Sequence, residues 1–259
     1  MTNRQNHWFQ SYSQLSLASD SPTERSGRPE GSEAVEIKIW QDIKEKLRLS
    51  NGHRVLEIGT GSGFIAVQWI LERQKLNLSL TLIDFPKVID RLCEECRDIL
   101  GVSTEGVTFI DGVFPDELSN RLSGLQYDRI SIYSVLHYSD DPRVMIDAAV
   151  LLLAPGGRLL VGDLPNLNKK GRFLATKFGR MVDAKYKNIE VSSKNIYQTH
   201  ELFRREAIEN GAACIDDVFV CELIADYRKL GFDVYVHEQP EGLLMNYSRE
   251  DIIICAPYD

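Results

Sequence analysis

The sequence predicts an α/β protein with a doubly wound, mostly parallel sheet, and three observations carry that prediction. Short β-branched runs alternate with segments of helical apolar spacing from residue 33 to about residue 163. The run His53-Arg-Val-Leu-Glu-Ile-Gly-Thr-Gly-Ser-Gly-Phe64 reads as a buried strand, a glycine turn and the start of a helix. Acids close three successive strands, at Glu57, Asp84 and Asp111.

Each element follows from its residues. Residues 1–31 are polar and turn-rich, but Trp8, Phe9 and Tyr12 give a free tail no reason to exist, so the arm is expected to pack on the domain across the cofactor mouth. A helix is predicted over residues 33–47. Strands follow near 53–58, 79–84, 106–110, 128–134 and 157–163, with helices at 64–75, 86–100, 115–123 and 142–153 between and after them. Residues 231–237 and 251–255 read as two late strands separated by a Pro240/Gly242 turn region. The expected organisation is an arm and helix (1–48) capping the cofactor site, a core (49–164), a basic helical insertion or lid (165–215), and a C-terminal helix and strands (216–259).

Composition sets limits on function. The 259 residues are 43% hydrophobic, enough for a full core. A net charge of −8 and a pI near 5.3 argue against nucleic acid as a general partner. No apolar run approaches signal-peptide or membrane-span length, so a cytoplasmic protein without a membrane partner is expected. Cys93 and Cys96 form a C-x-x-C without a partner pair elsewhere, which fits scattered reduced thiols.

The glycine spacing discriminates between cofactors. Gly59, Gly61 and Gly63 allow a sharp turn and a close backbone approach. A dinucleotide fingerprint would place its third small residue at position 64, where Phe64 stands. The pattern V-L-E-I-G-T-G-S-G, with Glu57 two residues before the first glycine, resembles the first motif of class I S-adenosylmethionine (SAM) dependent methyltransferases. An acid there suits a cationic cofactor better than a pyrophosphate. That resemblance implies a seven-stranded sheet of order 3-2-1-4-5-7-6 with the last strand antiparallel. It implies SAM as cofactor, held by Glu57, Gly59, Thr60, Gly61, Gly63, Asp84, Phe85, Asp111, Gly112 and Ser134, with Asp84 on the ribose hydroxyls and Asp111 on the adenine amino group.

The fourth strand runs into Val135-Leu-His-Tyr-Ser-Asp-Asp-Pro142, similar to the V-L-H-[HY] stretch of many small-molecule methyltransferases, and Ala154-Pro-Gly-Gly157 resembles the family's turn into the fifth strand. His137 is the expected general base, since its ordinary pKa lies near working pH. Asp140 and Asp141 precede Pro142 as helix-capping acids would, and without a third ligand no metal is expected. Residues 165–200 carry eight basic residues against two acidic ones. With Tyr138, the residues Lys169, Lys170 and Arg172 are expected to bind an anionic acceptor; the insertion is alternatively an oligomer contact. The stretch from Pro165 to Phe173 more weakly resembles methyltransferases of bacterial surface-glycan pathways, implying O-methylation of a phosphorylated or nucleotide-linked precursor. The alternatives are a nicotinamide-dependent oxidoreductase and a non-catalytic SAM-binding partner protein.

Overall fold

A computed structural model describes residues 3–18, 22–25, 31–187, 205, 208–209, 213–243 and 245–258. Seven strands, β1 (Arg54–Ile58), β2 (Ser79–Asp84), β3 (Val107–Asp111), β4 (Tyr127–Tyr133), β5 (Leu153–Pro165), β6 (Asp233–Glu238) and β7 (Arg249–Cys255), form one sheet of order β3-β2-β1-β4-β5-β7-β6. The first five are parallel. Strand β7 pairs antiparallel with both β5 and β6. The sheet order is the one the family resemblance implies.

The strands form where apolar, β-branched residues are covered on both faces. In β1, Val55, Leu56 and Ile58 are almost wholly inaccessible, as are Ile252, Ile253 and Ile254 in β7. One face packs against helices α3 (Glu33–Leu47), α4 (Phe64–Leu76) and α5 (Pro86–Glu94), through Ile43, Leu47, Ile70 and Leu92, with Trp40 edge-on to Trp69 at 4.8 Å. The other packs against α6 (Ser119–Leu122), α7 (Pro142–Val150) and α10 (Asp217–Lys229), through Leu122, Ile146 and Leu223.

Local chemistry sets the helix ends. Asp141 caps α7, accepting the amide protons of Arg143 and Val144, with Pro142 at the first helical position. Asp216 caps α10 through the amide of Phe219. Asn77 ends α4 in the left-handed conformation. The helix expected over 86–100 is α only to Glu94 and continues as a π-turn at Glu95–Ile99. Strand β5 is longer than the expected 157–163 because Leu153 already pairs with Tyr127 and, past an irregularity, Leu164 and Pro165 pair with β7.

A 16-residue helix, α1 (Asn3–Ala18), and the single turn α2 (Pro22–Arg25) lie before this core, and α8 (Leu167–Ala175) and α9 (Lys177–Lys187) follow β5. Residues 188–204 of the basic insertion, including Glu190 and Lys194, lie outside the described residues.

Candidate active site

A cavity of about 230 Å³ opens at the carboxyl ends of β1, β2 and β4, the edge where ligands bind in parallel sheets. Its floor is the glycine turn. Gly59 (φ +75°) and Gly61 (φ +68°) adopt conformations that favour glycine, and a Cβ on Gly59 would lie 2.4 Å from Val135 Cγ2. The turn is held from β2: the amides of Gly59 and Thr60 both donate to the Ile83 carbonyl, at 2.9 and 3.1 Å. The Gly61 amide donates to Asp84 Oδ2 at 2.7 Å. The Phe85 amide donates to Asp84 Oδ1, also at 2.7 Å.

Glu57 is 2% exposed, and its Oε2 has no hydrogen-bond partner. Burial pushes its carboxyl well above the usual range, with Ser131 and Trp69 pulling it back. A buried, unpartnered carboxylate oxygen at the lip of a cavity calls for a cationic or hydrogen-bond-donating partner. Burial also raises Asp84 to about 6, against the two amides that favour its charged form. The amides leave lone pairs on its oxygens for further donors. The other wall follows β4. Ser134 has φ +60°, and its amide donates to the Gly162 carbonyl of β5, so the chain turns past Val135 to present Tyr138, Ser139 and Asp140 to the cavity.

The structure brings Glu57, Gly59, Thr60, Gly61, Gly63, Asp84, Phe85, Gly112, Ser134 and Tyr138 together in this wall. Asp111 stands apart. It is exposed at the end of edge strand β3, and Arg121 approaches its carboxylate at 3.6 Å and donates to its carbonyl; Asp116 and the 112–115 backbone occupy the wall there instead. His137 also lies outside the wall. The short 3-10 turn Leu136–Tyr138 buries the imidazole to 7% exposure and sets it, tilted, against the cavity-facing Tyr138 at 3.9 Å between ring centres. Burial, followed by nearby Arg249, lowers its pKa to about 3, so the ring is neutral and a weak base at neutral pH. The basic trio is likewise elsewhere. Lys169 Nζ donates to the Arg249 carbonyl, Arg172 pairs with Asp217, and neither they nor Lys170 line the cavity.

Three further residues line the wall: Trp8 and Tyr12, of the arm expected across the cofactor mouth, and Arg25, which sequence reasoning missed. Trp8 and Tyr12 of α1 reach over the cavity, with Trp8 4.4 Å and Tyr12 5.3 Å from the Tyr138 ring, while Phe9 meets Phe85 edge-on at 5.2 Å. Arg25 of α2 is fully buried: its Nε donates to the Ser62 carbonyl in the glycine turn, and its guanidinium pairs with Glu95 at 3.0 Å. The aromatic arm residues were visible as a signal, but nothing in the sequence singled out Arg25.

Residues 32–213 match a protein family described as a methyltransferase domain. The chain belongs to that family. Its cofactor is S-adenosylmethionine, and the unpartnered Glu57 oxygen, the open space over Gly61 and the remaining acceptor capacity of Asp84 fit such a group. The methyltransferase domain resembles a chondramide synthase from Chondromyces crocatus, 31% identical over 138 residues, which are 52% of this chain and 3% of that protein. It also resembles a putative O-methyltransferase from Mycolicibacterium smegmatis, 28% identical over 131 residues, 51% of this chain and 60% of that one. The matches thus span less than two thirds of either relative. Among solved structures, the complex between the Haloferax volcanii Trm112 methyltransferase activator and the putative methyltransferase contains a similar chain, with TM-score 0.57 and 13% identity over 95% of this chain and 97% of that one. The plantazolicin methyltransferase BpumL gives 0.56 and 11% over 98% and 90%. At such identities the structural likeness is one of fold. The nicotinamide-dependent alternative falls with the family assignment.

Proposed function

We propose that this chain transfers the methyl group of S-adenosylmethionine to a small uncharged or cationic acceptor with an aromatic face, at oxygen in the first instance. The observation that carries the proposal is the sharing of one cavity by the Glu57–Gly61–Asp84 cradle and the rings of Trp8, Tyr12 and Tyr138. Oxygen is favoured by the relative named a putative O-methyltransferase.

The wall charge argues for the acceptor class. Its acids are Glu57, Asp84, Asp116, Asp140 and Asp141, against Arg25, which is already paired with Glu95. Such a wall repels an anion. The expected phosphorylated or nucleotide-linked glycan precursor rested on Lys169, Lys170 and Arg172, whose placement outside the cavity removes that support.

In this mechanism Glu57 and Asp84 would hold the cationic and hydroxyl ends of the cofactor, and the backbone of Gly59 and Gly61 would permit its close approach. The bound cofactor supplies an electrophilic methyl group. Tyr138 and Ser139 place the acceptor, while the α1 rings exclude water, so most of the rate comes from orientation. The neutral, enclosed His137 is not needed as a base. Its filled surroundings favour a second reading, a SAM-binding protein without transferase activity, against which stands the room beside Tyr138 and Asp140.

Calorimetry with SAM, S-adenosylhomocysteine and NAD, followed by transfer of labelled methyl to phenols, catechols and aromatic amines, tests the proposal. It requires SAM binding without NAD binding and label in an aromatic product. Label found only in phosphorylated or carboxylated acceptors would overturn the acceptor class, and SAM binding with no labelled product would favour the second reading.

A further inference from the structure

The opposite edge of the sheet holds a second cavity, of about 220 Å³, and its chemistry is cationic in an acidic protein. Strand register builds it. Arg129 of β4 pairs with Arg158 of β5, Arg158 with Cys255 of β7, and Cys255 with Asp233 of β6. These four residues form one row across four adjacent strands, with side chains on a common face. Arg48, left-handed at the end of α3, adds a third guanidinium. Residues 257–258 close the cavity: the Gly156 amide donates to the Pro257 carbonyl at 2.8 Å, and the Tyr258 ring lies over Gly156.

This arrangement is unfavourable as it stands. Like charges directly opposite on neighbouring strands repel, and among the described residues none of the three guanidiniums is in an ion pair, although Asp233 lines the same cavity. The Arg129 Nε is buried without a hydrogen-bond partner. Burial and the adjacent Arg158 both work against the Arg129 charge. Arg158 Nε donates to the Lys46 carbonyl and Arg129 Nη1 to the Asp128 carbonyl, and the buried Arg129 Nε that remains, within a cationic cluster, suits an anionic acceptor. Three guanidiniums against one carboxylate leave two positive charges, the amount a phosphate monoester brings in opposite sign, and guanidinium forks match phosphate oxygens.

We propose that this second cavity is a binding site for a phosphate monoester, separate from the methyl-transfer site. The two cavities share no lining residue, and from Arg129 to the cavity-lining Tyr133 β4 advances four residues, roughly 13 Å at about 3.3 Å each, so the phosphate site is distinct from the methyl-transfer site. The proposal does not depend on the acceptor class argued above.

The test is calorimetry of the full chain with inorganic phosphate and with phenyl phosphate, at ionic strength held constant with sodium chloride. One phosphate per chain should bind saturably, and about tenfold or more weaker to Arg129→Gln and to Arg48→Gln, with SAM affinity unchanged in both. Tighter binding of phenyl phosphate would place its ring on Tyr258 and support a monoester over the free ion. The melting temperature of the parent should rise with phosphate, and that of Arg129→Gln should not. A merely structural arginine would lower melting equally with and without phosphate. The proposal fails if the folded parent shows no saturable phosphate binding up to about 10 mM, or if both variants bind as the parent does. It fails equally if hexaglutamate binds at these arginines while phosphate does not, which would make the cavity a docking surface for an acidic protein.

Discussion

Replacing Gly59 by alanine should damage the fold, whereas the same change two residues later should damage the cofactor site. At Gly59 the new Cβ meets Val135 Cγ2 at 2.4 Å and Cγ1 at 2.9 Å with φ at +75°. A left-handed backbone with a Cβ costs about 1–2 kcal/mol, and forcing a methyl into packed side chains adds about 1–3 kcal/mol. The expected loss is therefore about 2–5 kcal/mol, or roughly 5–15 °C in Tm for a chain of this size. At Gly61, with φ +68°, the nearest atom to a new Cβ is 4.0 Å away. That leaves only the backbone cost of about 1–2 kcal/mol, while the methyl enters the cradle. Urea denaturation without SAM, combined with SAM calorimetry, separates the two. Trimming Val135→Ala in the Gly59→Ala background should recover about 1–2 kcal/mol of coupling in a double-mutant cycle. Equal stability losses at both positions, with no coupling to Val135, would refute the steric argument.

Three further outcomes are expected. Because burial raises Asp84 to about 6 from an ordinary 3.8, its contribution to stability is present below pH 3.8 and is lost as pH rises through 6. In SAM-free protein the parent should therefore lose no more than about 3 kcal/mol relative to Asp84→Asn between pH 4 and pH 7, and a parallel pair of pH–stability curves would contradict the shift. His137→Asn should keep kcat within about threefold of the parent, since the imidazole lies outside the cavity; a fall of about a hundredfold would return it to the chemistry. Arg25→Met leaves the buried Glu95 carboxylate with Arg91, at 3.7 Å, in place of the closer Arg25 and should cost about 2–4 kcal/mol, part of it recovered by adding Glu95→Gln; chemical denaturation of the single and double variants checks this.

The fold was legible because its signals are local. Val55, Leu56 and Ile58 followed by three alternate glycines announce strand and turn within ten residues, and Asp141-Pro142 announces the start of α7. The family resemblance carried the strand order. The site was legible only where the backbone itself forms it, at the glycine turn, Asp84 and Ser134. Asp111 misled because it ends a strand as Asp84 does and Glu57 nearly does; yet β3 is an edge strand, where a terminal side chain has solvent and Arg121 for partners. Lys169 and Arg172 misled because a charge count cannot see the Arg249 carbonyl or the Asp217 carboxylate that engages each one. Arg25 and Glu95 meet across a sequence separation of 70 residues, a pairing no local window of sequence contains.

The aromatic roof supplied by α1 has a consequence for how this enzyme's repertoire is written. Trp8 and Tyr12 stand more than forty residues before the glycine turn and reach the site by docking on Tyr138, while Phe9 of the same helix docks on Phe85. On the proposed function, the rings that roof the acceptor and the stretch that holds the methyl donor are therefore encoded apart. Exchanging the first helix for another of equal length but different rings should retune selectivity while the donor grip stays intact, much as a new key plate is fitted to an unchanged lock.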